Sequence, residues 1–393
     1  MEEVRDDDKE RHSSWLENFY DLIVVVVVSQ LAVSLGHDIS IPSYITFVIL
    51  FIPVWWSWLG VTFYNTRFET DDLGHRLLTL LQMAAAAFMA VSVVDGLGSN
   101  SSAFAISYAA IRIILVIEYL RTGKRFPSAR PLTSLYSKAF LIAAIIWFVS
   151  AFVPPPIRFV LWIMALALDI STTLVFTRRL SKRFAPHIYH LPDRFGTFAI
   201  IVLGITILAF VDNIATHNWT FPSIFSAALS LSVAFCIWWI YFDSIDGAAI
   251  QAFRRYRSGL VLYLAWIYTH FPLLIGITGF GVSIEHLVLG DQSLPLPPSD
   301  KWLMCGSIVL CLFSLAIIRI TSMKSKSGVS TTEYSGERVQ AIYGLGASAF
   351  ILFFGAVVQN PLPLLLIFVI AITFVGQVIL DIRHHPYHRV FKF

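Results

Sequence analysis

Long apolar stretches separated by short polar segments dominate the sequence. About 20 apolar residues are enough for one helix to cross the hydrocarbon core of a bilayer. The apolar residues are continuous rather than alternating, which excludes a membrane β-barrel. The pattern therefore predicts an all-α membrane bundle with about 12 transmembrane helices. The predicted spans are 15–36, 42–62, 76–95, 103–120, 139–153, 157–176, 195–212, 222–242, 259–287, 302–320, 341–358 and 362–380.

The positions of the basic residues predict the orientation. Of the 28 Lys and Arg residues, 25 fall in the N-terminal tail, the even-numbered loops and the C-terminal tail, or within two residues of them. Positive charge concentrates on the cytoplasmic side of membrane proteins, so both termini are predicted to be cytoplasmic. Residues 1–14 and 381–393 are then tails around one transmembrane domain, 15–380. The membrane would be the endoplasmic reticulum in a eukaryote or the inner membrane in a bacterium. Glycosylation sequons at Asn100 and Asn218 lie in odd-numbered loops.

Composition narrows the class of protein. Hydrophobic residues make up 57% and charged residues 13%, which excludes a disordered chain, a nucleic-acid binder and a water-soluble enzyme. The expected partner is the lipid bilayer. The sequence lacks a nucleotide-binding glycine loop, a zinc-protease motif and an Asp-rich diphosphate motif, so we predict neither a cofactor nor a metal. The oligomeric state stays open.

Two similar aromatic segments suggest an internal duplication. Trp55 and Trp56 end the second predicted span, and Trp238 and Trp239 end the eighth. The spacing is compatible with two six-helix halves, 15–176 and 195–380, as in transporters with parallel repeats. Interfacial aromatic belts explain the same tryptophans equally well.

Acidic residues near the predicted spans are the candidates for chemistry. Glu17 and Asp21 lie one turn apart, on one face of the first helix. Two carboxylates that repel each other favour a protonated form of one, which can then donate a proton. Alternatively, they are acids that cap the helix N-terminus. Deeper in the membrane, Arg112 and Asp169 are predicted to form a structural ion pair.

Three segments together resemble the low temperature requirement A (LtrA) family of membrane proteins. They are 15–22 (WLENFYDL), 65–72 (NTRFETDD) and 190–196 (HLPDRFG), and the likeness extends to about residue 285. The resemblance implies a multi-pass membrane protein without a settled activity. One position departs from the family pattern, because Ile205 replaces an expected intramembrane glutamate.

The sequence favours an integral membrane enzyme. Membrane-bound meroterpenoid cyclases are similar to LtrA-type proteins, and this likeness implies proton-initiated cyclisation of a lipophilic prenyl substrate. Glu17 or Asp21 would then donate the proton, oriented by Asp193 and Arg194. The expected substrate-binding residues are Phe19, Tyr20, Trp55, Trp56, Arg67, Asp71, Asp72, Trp238 and Trp239.

Two other functions remain open. Twelve spans and titratable acids also suit a proton-coupled secondary transporter or an ion pathway. A membrane scaffold or sensor without turnover is the third reading. For Arg67, Asp71 and Asp72, the alternative to substrate binding is that they form ion pairs between the ends of neighbouring helices.

Overall fold

The computed structural model describes residues 11–68, 70–179, 185–214, 220–255, 259–325 and 331–384, with the side chains at 175–179, 209–214, 324–325, 331–335 and 384 left out. In these residues the secondary structure is helical, as the sequence predicts. The α-helices are α1 (Trp15–His37), α2 (Ile41–Asn65), α3 (Leu73–Ser92), α4 (Ser101–Arg125), α5 (Arg130–Ser150), α6 (Ile157–Arg179), α7 (His190–Ile214), α8 (Phe221–Ser244), α9 (Ala248–Arg255), α10 (Gly259–Leu289), α11 (Pro298–Ser325), α12 (Thr331–Val357) and α13 (Pro363–His384).

The predicted twelve spans are confirmed for the described part of the chain. Every α-helix except the short α9 is long and apolar enough to cross a bilayer. Many large apolar side chains point outward; Phe88 and Val91, for example, are 72% and 75% exposed. Outward apolar side chains on helices of this length require a hydrocarbon environment. The protein is therefore a multi-pass integral membrane protein.

Local sequence signals explain where several helices begin. Asp72 caps α3, because its side chain accepts a hydrogen bond from the His75 backbone N–H at 2.9 Å. Thr220 and Ser223 cap α8 reciprocally. Helix α5 begins at Arg130, earlier than the predicted 139, because Pro131 suits a first helical turn and the amphipathic residues after it continue the helix.

The helices group into two compact units, which are described separately. Unit 1 contains Met1–Ser34 and Ile45–Phe198, and unit 2 contains Leu35–Tyr44 and Ala199–Phe393. The chain passes from one unit to the other within α1, within α2 and within α7. The predicted halves, 15–176 and 195–380, stay a prediction.

Close contact between α10 and α11 within unit 2 depends on a glycine. A Cβ atom on Gly276 would lie 2.7 Å from the Ser307 carbonyl oxygen and 2.8 Å from the Cys311 sulfur. Small residues allow such close approach of helices in membranes, where packing rather than water drives association.

We expect Gly276→Ala to lower the free energy of unfolding by about 1–3 kcal/mol, because the added methyl group overpacks this contact. Gly306→Ala is the matched control, since nothing lies within 4 Å of the new methyl group. Unfolding by SDS in mixed micelles, followed by tryptophan fluorescence, measures both changes. Equal stability of the two variants would contradict the close packing.

Candidate functional site

The start of α1 forms the outer part of a buried polar cluster in unit 1. Ser14 and Glu17 cap the helix reciprocally: the Ser14 N–H donates to Glu17 Oε2 at 2.7 Å, and the Glu17 N–H donates to Ser14 Oγ at 3.3 Å. The same Glu17 oxygen lies 3.1 Å from Nε2 of His190, on the first turn of α7. Glu17 therefore caps its own helix and also connects α1 to α7.

Asp21 lies one turn further along α1 and is 0% exposed. Its Oδ1 accepts hydrogen bonds from Arg194 Nη2 and from Trp58 Nε1, both at 2.6 Å. The Trp58 ring stacks on Phe198, with the ring centroids 4.3 Å apart. Asp21 Oδ2 and two nitrogens of Arg194 are buried without a hydrogen-bond partner among the described residues. The ion pair therefore keeps unused hydrogen-bonding capacity inside the membrane.

The first turn of α7 supplies three polar groups to this cluster. His190 and Arg194 are 0% exposed, and their side chains reach α1. Asp193 Oδ2 accepts a hydrogen bond from the Ser13 N–H at 2.6 Å. Residues four apart lie on one helix face, which is why His190 and Arg194 contact Glu17 and Asp21 in the same order.

A second buried ion pair joins α4 to α6. Arg112 Nε lies 3.1 Å from Asp169 Oδ2, and both side chains are 0% exposed. The Tyr108 hydroxyl accepts from Arg112 at 2.7 Å and donates to Asp169 at 3.0 Å. Arg112 Nη2 also donates to the Trp56 carbonyl oxygen on α2 at 3.2 Å. This pair lies about 18 Å along α6 from its first residue, near the middle of a bilayer.

A third polar contact joins α3 to α4. Glu118 is 1% exposed, and its Oε1 lies 3.0 Å from Nδ1 of His75. Its Oε2 accepts from Gln82 at 3.3 Å. Unit 1 therefore contains several carboxylates within its spans, each with a basic or amide partner. The described residues contain no group of three or more His, Cys, Asp or Glu side chains that could hold a metal ion.

Comparison with known proteins gives the family. The sequence model of the bacterial low temperature requirement A protein matches residues 12–378. The chain belongs to the LtrA family. The uncharacterized protein RA0937 of Rhizobium meliloti (strain 1021) is 26% identical to it over 295 residues, which is 68% of this chain and 71% of the relative.

In this LtrA-family protein the predicted substrate-binding residues differ in burial and belong to both units. Tyr20, Trp55 and Trp56 are buried, whereas Phe19 is 51% exposed. The Arg67 guanidinium lies over the Phe63 ring, 4.9 Å from its centroid. Trp238 and Trp239 are half-buried and belong to unit 2.

The remaining positions singled out in the sequence are Asn100, Asn218 and Ile205. Asn100 lies in the turn that precedes α4, and Asn218 lies outside the described residues. Ile205 is half-buried on α7, next to Gly204, which lines an apolar groove in unit 2.

Sequence reasoning does not identify four residues of the buried polar contacts in unit 1, namely Trp58, His75, Glu118 and His190. Trp58 belongs to the aromatic run 55–58, of which only Trp55 and Trp56 are predicted to bind substrate. His190 begins a quoted family segment without being assigned a role. Glu118 and its partner His75 are not among the predicted site residues, although a carboxylate within the fourth predicted span is a usable signal.

Asp71 and Asp72 lie at the surface just before α3. Arg76 contacts Asp71 at 2.8 Å, and this ion pair lowers the pKa of Asp71. Asp72 pairs with Arg121 and Arg125 on α4. The hydrogen bond from Arg121, followed by that from the His75 N–H, lowers the pKa of Asp72 to about 2.

We expect Asp72→Asn to destabilise the protein above about pH 4, where the unfolded carboxyl is ionised, and the penalty to vanish as pH falls towards 2. The sign follows from linkage: a lowered pKa stabilises the fold above the unfolded pKa, and that stabilisation is lost as pH falls through the folded pKa. Thermal unfolding in detergent between these pH values measures the difference. Asp71→Asn is the control and should cost less, because both members of its ion pair are exposed. A pH-independent penalty for Asp72→Asn would contradict the assignment.

Proposed function

We propose that this LtrA-family protein is a proton-coupled membrane transporter, in which buried carboxylates of unit 1 bind and release the coupling proton. The observation that carries the proposal is the order of three buried polar pairs. Glu17–His190 lies at the start of α1, Asp21–Arg194 about 6 Å further along it, and Arg112–Asp169 near mid-membrane. Ionisable side chains within spans are costly and typically mark proton or ion pathways.

A similarity between the two units adds support. In unit 1, Arg112 on the fourth span pairs with Asp169 on the sixth at 3.1 Å. In unit 2, Arg319 on α11, the tenth span, pairs with Asp381 on α13, the twelfth, at 2.7 Å. Parallel repeats with equivalent polar positions are a familiar design in secondary transporters.

The ion pair at Asp21 suggests how a proton would be coupled. Two donors, Arg194 and Trp58, contact one Asp21 oxygen, so the geometry suits an ionised carboxylate. A proton arriving at Asp21 would neutralise it and weaken its hold on Arg194. The freed guanidinium and the neutral acid would then present different charges to a solute, which is the differential interaction that coupling requires.

The enzyme hypothesis has weaker support. Neither the family nor the relative is described by an enzymatic activity. Terpene cyclisation therefore stays a prediction, and incubation of the purified protein with linear farnesylated phenols or their epoxides should give no cyclised product.

Proton movement in proteoliposomes tests the proposal. Vesicles that contain a pH-sensitive dye are mixed in turn with inorganic cations, inorganic anions, amino acids and dicarboxylates. At least one of these solute classes should change the pH inside the vesicles, and Asp21→Asn should abolish this pH change. Asp71→Asn, at an exposed acid, is the control that should keep it. If no solute class or imposed potential moves protons, the transporter proposal is wrong and a scaffold or sensor is favoured.

A further inference from the structure

An apolar groove in unit 2 is lined by α7, α8 and α13. Its volume is about 820 Å³, and small-molecule sites in proteins typically measure roughly 300–1,000 Å³. The residues that line it lie three or four apart on each helix, such as Ile200, Leu203 and Gly204 on α7. Phe235 and Trp238 line it from α8. The groove is therefore formed where one face of each of three helices meets the others.

Small residues explain why this surface is concave. A Cβ atom on Gly204 would have nothing within 4 Å among the described residues, so the groove reaches the backbone of α7. Ser232 and Ala234 are the small lining residues on α8. Phe235 on α8 is 54% exposed and Ile379 on α13 is 46% exposed, so the groove opens away from the protein interior. On membrane-spanning helices this opening faces the hydrocarbon of the bilayer.

The groove lies at the depth of a single leaflet. On α8 its lining extends from Leu231 to Trp238, a distance of about 10 Å along the helix. Most of the lining on α8 and α13 falls in the C-terminal half of each helix, before Ser244 and His384. The charge pattern predicts that both of these helix ends are cytoplasmic. Because one leaflet supplies about 15 Å of hydrocarbon, the groove matches the cytoplasmic leaflet.

A cation follows the groove on α13. Val375, Ile379 and Arg383 are spaced four residues apart and so lie along one face of the helix. Arg383 is exposed, is the last residue of the twelfth span and lies about 6 Å beyond Ile379. Asp381 lies on the opposite face, where it pairs with Arg319 at 2.7 Å. An exposed positive charge at headgroup depth next to an apolar groove matches the shape and charge of an anionic phospholipid.

We propose that this groove binds an acyl chain of an anionic phospholipid whose phosphate contacts Arg383. Bulk lipid is as apolar as the groove, so the charge at Arg383 is expected to select among lipids. A second copy of the chain fits less well, because a spanning helix is about 30 Å long and the groove only about 10 Å. The site does not depend on the transport function proposed for unit 1.

Native mass spectrometry of the purified full-length protein tests this site. The delipidated protein is titrated in detergent with phosphatidylglycerol or with phosphatidylcholine, which carry identical acyl chains and differ in headgroup charge. We expect the first phosphatidylglycerol to bind about fivefold more tightly than the first phosphatidylcholine, the effect of one basic residue near a lipid headgroup. Equal affinities for the two lipids would contradict the proposal.

Two variants that fill the groove test its position. Gly204→Phe should weaken the binding of phosphatidylglycerol at least tenfold, because the ring would occupy the space of the acyl chain. Ser232→Phe fills the groove from α8, so a folding defect in one variant leaves the other as a test. Gly346→Phe on α12 is the matched control, since a Cβ atom there also has nothing within 4 Å in the described part of the chain. Unchanged lipid binding in both groove variants would overturn the proposal.

A third variant tests the headgroup contact. Arg383→Gln should remove the preference for phosphatidylglycerol and leave the affinity for phosphatidylcholine unchanged. Arg338→Gln is the control, because Arg338 is exposed near the end of α12 that the charge pattern also predicts to be cytoplasmic. A preference that survives Arg383→Gln would overturn the proposal. So would a lipid-free dimer that dissociates in Gly204→Phe, because a second copy would then occupy the groove.

Discussion

Replacing Arg194 with leucine is expected to lower the free energy of unfolding by about 3–5 kcal/mol, because Asp21 would remain as a buried charge without its partner. Both side chains are 0% exposed, and the Nη2–Oδ1 distance is 2.6 Å. Trp58 would still donate to Asp21, but a neutral indole N–H does not replace a positive charge. Unfolding by SDS in mixed micelles, monitored by tryptophan fluorescence, measures the loss.

The double variant Asp21→Asn with Arg194→Leu separates charge from packing. It should regain much of the lost stability, because neither member then remains as an unpaired ion. Arg76→Leu is the control: its ion pair with Asp71 is exposed, so its effect on stability should be small beside that of Arg194→Leu. An Arg194→Leu variant as stable as Arg76→Leu would mean that Asp21 is protonated in the folded protein.

The spans and the polar helix ends could be predicted from the sequence, because both depend on local patterns. A continuous apolar run fixes the existence of a helix whatever its neighbours are. Glu17, Asp21 and Arg194 are recognisable in the sequence because charges near a span are rare and costly. The sequence could not show that Asp21 pairs with Arg194, which is 173 residues away, since this requires knowing that α1 and α7 are neighbours.

The aromatic part of the cluster was harder to predict for a geometric reason. The run 55–58 contains three tryptophans, and the rotation of α2 about its axis decides which of them faces α1. In the structure Trp58 donates to Asp21, while Trp56 contributes its backbone carbonyl to Arg112. A rotation is set by packing against several helices at once, and a single sequence does not specify it.

Replacing Arg112 with lysine tests whether the second ion pair depends on the shape of guanidinium as well as on its charge. Arg112 reaches Asp169, the Tyr108 hydroxyl and the Trp56 carbonyl oxygen at 2.7–3.2 Å. An ammonium group keeps the charge but presents a single nitrogen, so at least one acceptor loses its donor. We expect a loss of about 1–3 kcal/mol for Arg112→Lys. Arg112→Leu should lower the free energy of unfolding by about 3–5 kcal/mol, because it leaves Asp169 as a buried charge without its partner.

Gly60 provides an independent check of that geometry. A Cβ atom at this position would lie 2.5 Å from Arg112 Nη1, so Gly60→Ala should displace the guanidinium and cost about 1–3 kcal/mol. In the Arg112→Leu background the clashing nitrogen is gone, so the same substitution should cost less. SDS unfolding of the four proteins completes the double-mutant cycle. If the effects of Gly60→Ala and Arg112→Leu on stability are additive, the contact is contradicted, because residues that do not touch are expected to act independently. A smaller penalty for Gly60→Ala in the leucine background instead shows that the α2 backbone contacts the Arg112–Asp169 ion pair.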